Sequence, residues 1–415
     1  MEVLNIQFSD VNSDKPFGFR DKKESGVVSS KKACIEVTQG EVKADKISEE
    51  LSEEMNCDAF FGIQVALHRE YAPRVPRDRV DPRTSMSDPE FKRHFRFTKH
   101  TVERIAEMLR EDLEFGTNRG EPLSPVQQVC VALHHFGGGQ FQRVTGLCGG
   151  ISQNGARLAL IRVTDALVKR RAEFIYMPGI EEMEETSQRI MERFKLPRFS
   201  MGVDGMMTRF EEAPRRLPVG KHKQLFWCRK QFYAVNTQVV ANDWRICDLD
   251  VSWPGSTHDS RVWNRSKVKP YVEEQRRFLI AGDSGYPISE VLIKPFNINE
   301  ASQDKRKRIF NKRHSGLRTV MTENIFAVWK RRFPVIKSLR SDFLTSQKII
   351  VATAILFNLG RMWSDDDPED VNGGEEDDID EEPARAGFVV EDSHPSSVRI
   401  RGQAERQRLL ENMKS

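Results

Sequence analysis

FSMGVDGMMTRF, residues 199–210, is the stretch on which the fold turns. Apolar and small residues alternate along it, the period of a strand. One acid, Asp204, stands in the run beside Gly205. An isolated buried carboxylate is costly unless something balances its charge. Asp beside Gly is also an ordinary turn former, so a chemical role and a conformational one both stay open for Asp204 at this point.

Reading outward toward the C-terminus, FYAVNTQVVAN (232–242) and WRICDLDVSW (244–253) form an expected antiparallel pair joined by a tight Asn-Asp turn. PGSTHDSRVWNRSKV (254–268) reads as a loop entering a helix, and FLIAGDSGYP (278–287) as a buried strand that ends at Asp283. DKRKRIFNKRHSG (304–316) reads as a basic loop, and residues 315–333 and 342–363 as helices, the first carrying Glu323. The order is strand with Asp204, two strands, a helix, a strand with Asp283, a loop, and a helix with Glu323. This is an α/β arrangement, an RNase H-like mixed sheet flanked by helices, in which the first and fourth strands lie side by side. Asp204 and Asp283 then face each other, and the later helix swings Glu323 over them.

Three converging carboxylates suit Mg²⁺ or Mn²⁺, which prefer hard oxygen ligands. Such a site holds two ions about 3.5–4 Å apart. One lowers the pKa of an attacking water and the other steadies the leaving 3′ oxygen. In-line phosphoryl transfer needs no protein nucleophile. Glu323 by itself resembles any solvated helix glutamate, and its case rests on its place in the order. Asp259, in STHDS, is either a helix-start acid favoured by the dipole or a further ligand.

Toward the N-terminus the character changes. Residues 1–87 are polar, poor in aromatics and aperiodic, and are expected to be mostly disordered. Residues 88–185 read as helical. Phe91, Phe95, Phe97, Val102, Ile105, Met108, Leu109 and Leu113 recur at helical spacing. Pro125–Phe136 is an expected helix capped by Ser124. FQRVTGLCGGISQNGARLALIRVTDALVKR (141–170) then gives a short helix, a glycine turn, a Ser152 cap and a longer helix, the helix-turn-helix pattern. Its second helix is expected to present Gln153, Asn154, Arg157 and Arg162 to DNA, although many packed helical pairs share a glycine turn. Lys330, Arg331 and Arg332, on the Glu323 helix, are candidates to steer a phosphate backbone or a plain solvated face. Lys305–Arg313 reads as a nuclear localisation signal, a phosphate contact or a solvated loop.

The 415 residues carry 65 basic and 62 acidic side chains. Twelve of the acids lie between Ser364 and Glu382, without a single basic residue among them. The rest of the chain is therefore strongly basic, as expected for a protein with a polyanionic partner. Residues 364–415 read as an acidic linker and a charged tail with a weak helix at 398–413, leaving 198–363 as the catalytic domain. The six cysteines form no CxxC pair, which points away from zinc and disulfides and toward a reducing compartment. The N-terminus lacks the order of a signal peptide, and no apolar run is expected to span a membrane.

GVDGMMTRF, the run Arg229, Lys230, Phe232, Asn236 and Gln238, PGSTHDSRVW, GDSGYP and FNKRHSGLRTVMTENIFAVWKRRFPV occur in that order. Together, over about residues 88–363, they resemble the PIF/Harbinger transposases. The resemblance implies a divalent-metal DNA nuclease of the DDE type, with Asp204, Asp283 and Glu323 as metal carboxylates and Asp259 as a fourth. It also implies a nuclear protein, with some presence in the cytoplasm left open, and DNA and a Myb-like or SANT DNA-binding protein as partners; self-association as a homo-oligomer stays open. One departure stands out. The family places three residues between the arginine and the glutamate; here four separate Arg318 from Glu323, Asn324 stands for arginine, and Phe326–Ala327 for Phe-Gly. A domesticated transposase that keeps DNA or chromatin binding without catalysis is the competing reading. A haloacid-dehalogenase phosphatase is excluded, because its Asp-x-Asp pair would need an acid where Gly202 stands.

Overall fold

The computed structural model describes residues 79, 81–117, 121–217, 222–365 and 397–413. Most of the N-terminal stretch expected to be disordered, and the acidic run after Asp365, lie outside these residues.

The helical part begins with α1 (Asp88–Phe95), α2 (Lys99–Met108) and α3 (Pro125–Gly138). Arg96, in the left-handed region, separates α1 from α2. Ser124 and Gln127 close a reciprocal capping box on α3, satisfying amides that the helix start leaves unpaired. Next come α4 (Gln142–Cys148) and α5 (Gln153–Lys169), the helix-turn-helix-like pair, with Ser152 accepting from the Gly155 amide as expected. α6 (Ile180–Phe194) leads into the sheet.

β1 (Phe199–Phe210) is the long central strand. It pairs antiparallel with β2 (Ala234–Ala241), which pairs antiparallel with β3 (Ile246–Pro254). After α7 (Asp259–Asn264) and α8 (Val268–Glu274), β4 (Leu279–Ala281) runs parallel to the first half of β1. β5 (Leu292–Ile293) runs parallel to β4, giving the order β3-β2-β1-β4-β5. The first and fourth strands are neighbours, as their order in the sequence requires of this fold class.

Two helices, α9 (Ile298–Gln303) and α10 (Lys305–Arg318), follow. The stretch read as a basic loop is therefore a helix. Asp304 caps it by accepting from the Arg306 amide. Phe310, His314 and Leu317, one per turn, are its buried stripe, which the surrounding charges hide from a pattern reading. A π-turn at Thr319–Glu323 joins α10 to α11 (Asn324–Arg332). β6 (Ser338–Leu339) adds to the far end of β1. α12 (Phe343–Met362) then crosses the core, and α13 (Ser397–Asn412) closes the described chain.

α12 is apolar over 20 residues, so one run does reach spanning length, contrary to the expectation. Here it is enclosed by protein. Ile349, Ile350, Ile355, Leu356, Phe357 and Leu359 share one cluster with Phe91, Leu109 and Leu133 from the helical part and Met206, Val239 and Leu249 from the sheet. The helical region and the sheet thus share one core. A second cluster gathers Met201, Val203 and Val240 with Trp263 and Tyr286. Val203 and Met206, of opposite parity on β1, fall in different clusters, the alternation of a strand covered on both faces. The tail helix is more than weak: Leu409 and Leu410 are buried with Phe296, Phe310 and Leu317.

Candidate active site

The register places the carboxylates. Gly202 on β1 lies opposite Ala281 on β4 in parallel pairing. Two residues further along each chain come Asp204 and Asp283, so the two acids emerge side by side where β4 ends. The Asp283 side chain folds back to accept from the Gly285 amide at 2.9 Å.

Asp259 arrives from the first turn of α7. Its Oδ1 accepts from Asn236 Nδ2 at 3.0 Å, and the same amide group donates to the Thr257 carbonyl at 2.9 Å. Asn236 on β2 thus fixes both the loop and the carboxylate. Gly205 makes room for it: a Cβ there would stand 2.6 Å from Asp259 Oδ1. A Cβ at Gly285 would lie 3.2 Å from Asp283 Oδ1 and 3.7 Å from Asp259 Oδ2. Asp259 and Asp283 therefore border the same small space, with Asp204 beside Gly205 at its edge.

The electrostatics agree with this crowding. Burial pushes the Asp204 carboxyl up to about 6, with Arg318 opposing the shift and Asp283 adding to it. A guanidinium at hydrogen-bond distance would ordinarily depress a carboxyl; here burial outweighs it. Burial also raises Asp259, against the Asn236 hydrogen bond and with help from the charge on Asp283. The Tyr286 hydroxyl is buried without a hydrogen-bond partner. Burial and the charges of all three aspartates raise it well above its ordinary value.

Glu323 is placed differently. It sits at the end of the π-turn, its side chain 43% exposed, with Oε2 accepting from Thr319 at 2.8 Å. Arg318 spans the gap: its Nη2 donates to Asp204 Oδ2 at 2.9 Å and stands 3.5 Å from Glu323 Oε1. The extra residue between Arg318 and Glu323 is absorbed where the helix widens to a π-turn, a feature frequent at functional sites.

The donors present, carboxylate oxygens, fit a hard divalent cation. Among the described residues, no three acids, histidines or cysteines stand close enough to grip one in this arrangement. The Arg318 guanidinium stands beside Asp204 in this arrangement.

The expected nucleic-acid residues divide. Gln153, Asn154 and Arg157 are exposed on α5. Arg162 is not a groove-facing residue: it caps the Asp112 and Glu114 carbonyls and lies 4.0 Å from the Phe115 ring centre. Arg332 is corrected too. It is 2% exposed, donates to the Arg96 and Asp365 carbonyls and lies over Phe97, tying α11 into the core. Lys330 and Arg331 are half-buried. Burial, then Lys230 and Lys337, push the Lys330 ammonium down, and Asp204 pulls it back. Lys330 thus belongs to the surroundings of Asp204.

Sequence reading missed the parts played by Asn236, Tyr286 and Arg318, although all three lay inside motifs it had singled out. A buried Asn mid-strand was the one signal available. A cavity of about 630 Å³ lies elsewhere, between α4 and β6, lined by Phe141, Leu147, Leu339 and Arg340.

Residues 203–358 match a protein family described as DDE superfamily endonuclease. HARBI1 of Bos taurus, whose name calls it a candidate nuclease, is 27% identical over 271 residues, 63% of this chain and 75% of its own length. The protein ALP1-like of Arabidopsis thaliana is 25% identical over 267 residues, 59% of this chain and 62% of its own. A crystal structure of a pre-cleavage Mos1 transpososome aligns over 81% of this chain and 92% of its own at 12% identity, with a TM-score of 0.15, too low to bear on the fold.

Proposed function

We propose that this chain, which carries a DDE superfamily endonuclease domain over residues 203–358 and is homologous to the Harbinger transposase-derived nucleases, cuts DNA phosphodiester bonds with the help of Mg²⁺ or Mn²⁺. The observation that carries this reading is the convergence of Asp204, Asp259 and Asp283 from three separate elements. Like charges are brought together against their own repulsion, which is a cost a fold keeps where a cation repays it.

Asp204, Asp283 and Asp259 would hold the metal, with Glu323 joining once Arg318 moves. Bound there, the divalent cation supplies charge neutralisation and an activated water, the chemistry of two-metal sites. Asn236 holds Asp259 in place. Tyr286 and Trp263, buried behind the carboxylates in edge-to-face contact at 6.3 Å, keep water from that side. Lys330, whose ammonium feels the charge of Asp204, is the candidate on α11 to meet a phosphate. Gln153, Asn154 and Arg157 suit contacts to the duplex further out. A nuclear location, a Myb-like or SANT partner and self-association belong to the same reading.

A second reading has an observation in its favour. The Arg318–Asp204 ion pair neutralises a metal ligand, as a retired enzyme that only binds DNA would allow. Plasmid and labelled duplex, incubated with the full chain in Mg²⁺, Mn²⁺ or chelator, separate the two. Metal-dependent nicking supports the nuclease. Binding without nicking, unchanged when a Myb-like partner is added, supports the retired protein.

A further inference from the structure

The pairing between α10 and β1 is unusual for its position. The Arg318 guanidinium is half-buried, reaches across to Asp204 Oδ2 at 2.9 Å, and sits 3.5 Å from Glu323 Oε1. It thus joins the one acid on β1 to the one acid on the π-turn. Its Nε is buried and has no hydrogen-bond partner. A guanidinium committed to a structural pair normally uses its fork in two parallel bonds; this one bridges two acids through a single nitrogen.

The backbone around it is also held by substitutes. The Thr322 hydroxyl donates to the Arg318 carbonyl at 2.9 Å, and Thr319 holds Glu323 at 2.8 Å. The Asn324 amide bonds back to the Thr319 carbonyl. One residue more than a regular α-turn is thus accommodated immediately after Arg318. Such single π-turns inside helices are rare and occur frequently at functional sites.

We propose that Arg318 is an exchangeable internal counter-ion: it neutralises Asp204 and Glu323 in the resting protein, and a divalent cation must displace it to bind. The inference rests on the nuclease reading of the same acids. Electrostatics require the exchange, because a guanidinium at 2.9 Å from Asp204 and a dication on the same oxygen repel each other. Removing the arginine removes both the competitor and the repulsion. Once displaced, Arg318 leaves Glu323 free to turn toward Asp204, and its own charge stays within reach of a DNA phosphate. Arg318 is a positioning residue in this account.

Calorimetric titration of the full chain with Mn²⁺, in the absence of DNA, tests it. Wild type, Arg318→Gln, Arg318→Lys and Asp204→Asn are compared, each checked for folding by circular dichroism. Arg318→Gln is expected to bind Mn²⁺ at least about tenfold more tightly than wild type, or about 1.4 kcal/mol. Arg318→Lys, which keeps the charge but is too short to bridge both acids, should fall between. In wild type, Mn²⁺-free Mg²⁺ titration followed by NMR should shift the Arg318 Nε–H signal. Binding by Arg318→Gln that is no tighter than by wild type, with binding lost in Asp204→Asn, overturns the exchange and leaves the metal site standing. Mn²⁺ binding that is absent in every form, or indifferent to Asp204→Asn, overturns the nuclease reading itself. Should Arg318→Gln not fold, the Lys variant and the wild-type NMR shift decide.

Discussion

Asp204 concentrates the residue-scale argument. It is half-buried, its carboxyl is pushed up to about 6, and its partner is a guanidinium at 2.9 Å. A raised folded value means that Asp204 favours folding below its unfolded value near 3.8 and that this contribution is lost as pH rises through about 6. Asp204→Asn should therefore match wild type in stability near pH 4 and gain on it above pH 6. A shift of this size corresponds to about 3 kcal/mol, reduced because Arg318 loses its partner. Urea melts at pH 4, 6 and 8 read this; a variant equally destabilised at all three would contradict it. The same protonation keeps metal out, so Mn²⁺ binding should fall away as pH drops below about 6. Arg332 makes the opposite point. Its head group closes on two carbonyls and an aromatic face in the core, so Arg332→Met should cost about 2–4 kcal/mol. DNA affinity of the folded fraction should stay unchanged, as titration of a labelled duplex would show.

At the scale of elements, β1 was legible because its alternation and its single acid both survive in a short window. β2 and β3 were legible as two strand-like runs joined by a tight Asn-Asp turn. α10 was not, because its buried residues, Phe310, His314 and Leu317, are scattered among charges. Three buried positions, one per turn, specify the helix only together with the cluster they enter. α13 was underestimated in the same way. Its own pattern is weak, and its stability comes from docking: Arg406 donates to the Pro295 carbonyl at 2.8 Å over the Phe296 ring, and Arg198 pairs with Glu405. Ending the chain at residue 396 would uncover Leu409 and Leu410, each worth about 2–3 kcal/mol when buried. The melting temperature should drop by several degrees or more; an unchanged melt would mean that the helix does not hold the sheet edge. The ambiguity of Asp259 in the sequence had a physical source. A helix-start acid and a ligand look alike locally, and the contacts that bring Asp259 toward the other aspartates are with Gly205 and Asn236, which lie 54 and 23 residues away.

For the whole molecule, the order of acids along the chain was readable, and so was the sheet they imply. The sharing of one core by the helical region and the sheet was not, because it depends on α12 threading both. It follows that residues 79–413 should unfold in a single calorimetric transition, and that residues 203–358 alone, stripped of Phe91, Leu109 and Leu133 from their core, should not fold. Two separated transitions would show the helical part to be an independent domain. The family match covers residues 203–358 alone, and the Arg318 bridge is what the likeness could not reveal. If the chain is a nuclease, the converging aspartates perform metal-dependent chemistry on DNA. The measurement that reaches this most directly is cleavage of a labelled duplex in Mn²⁺ by wild type beside Asp204→Asn and Asp283→Asn, at protein concentrations giving equal DNA binding. Cleavage by wild type alone, abolished by chelator, is the predicted result; cleavage that persists in either variant, or a wild type that binds and never cuts, would contradict it.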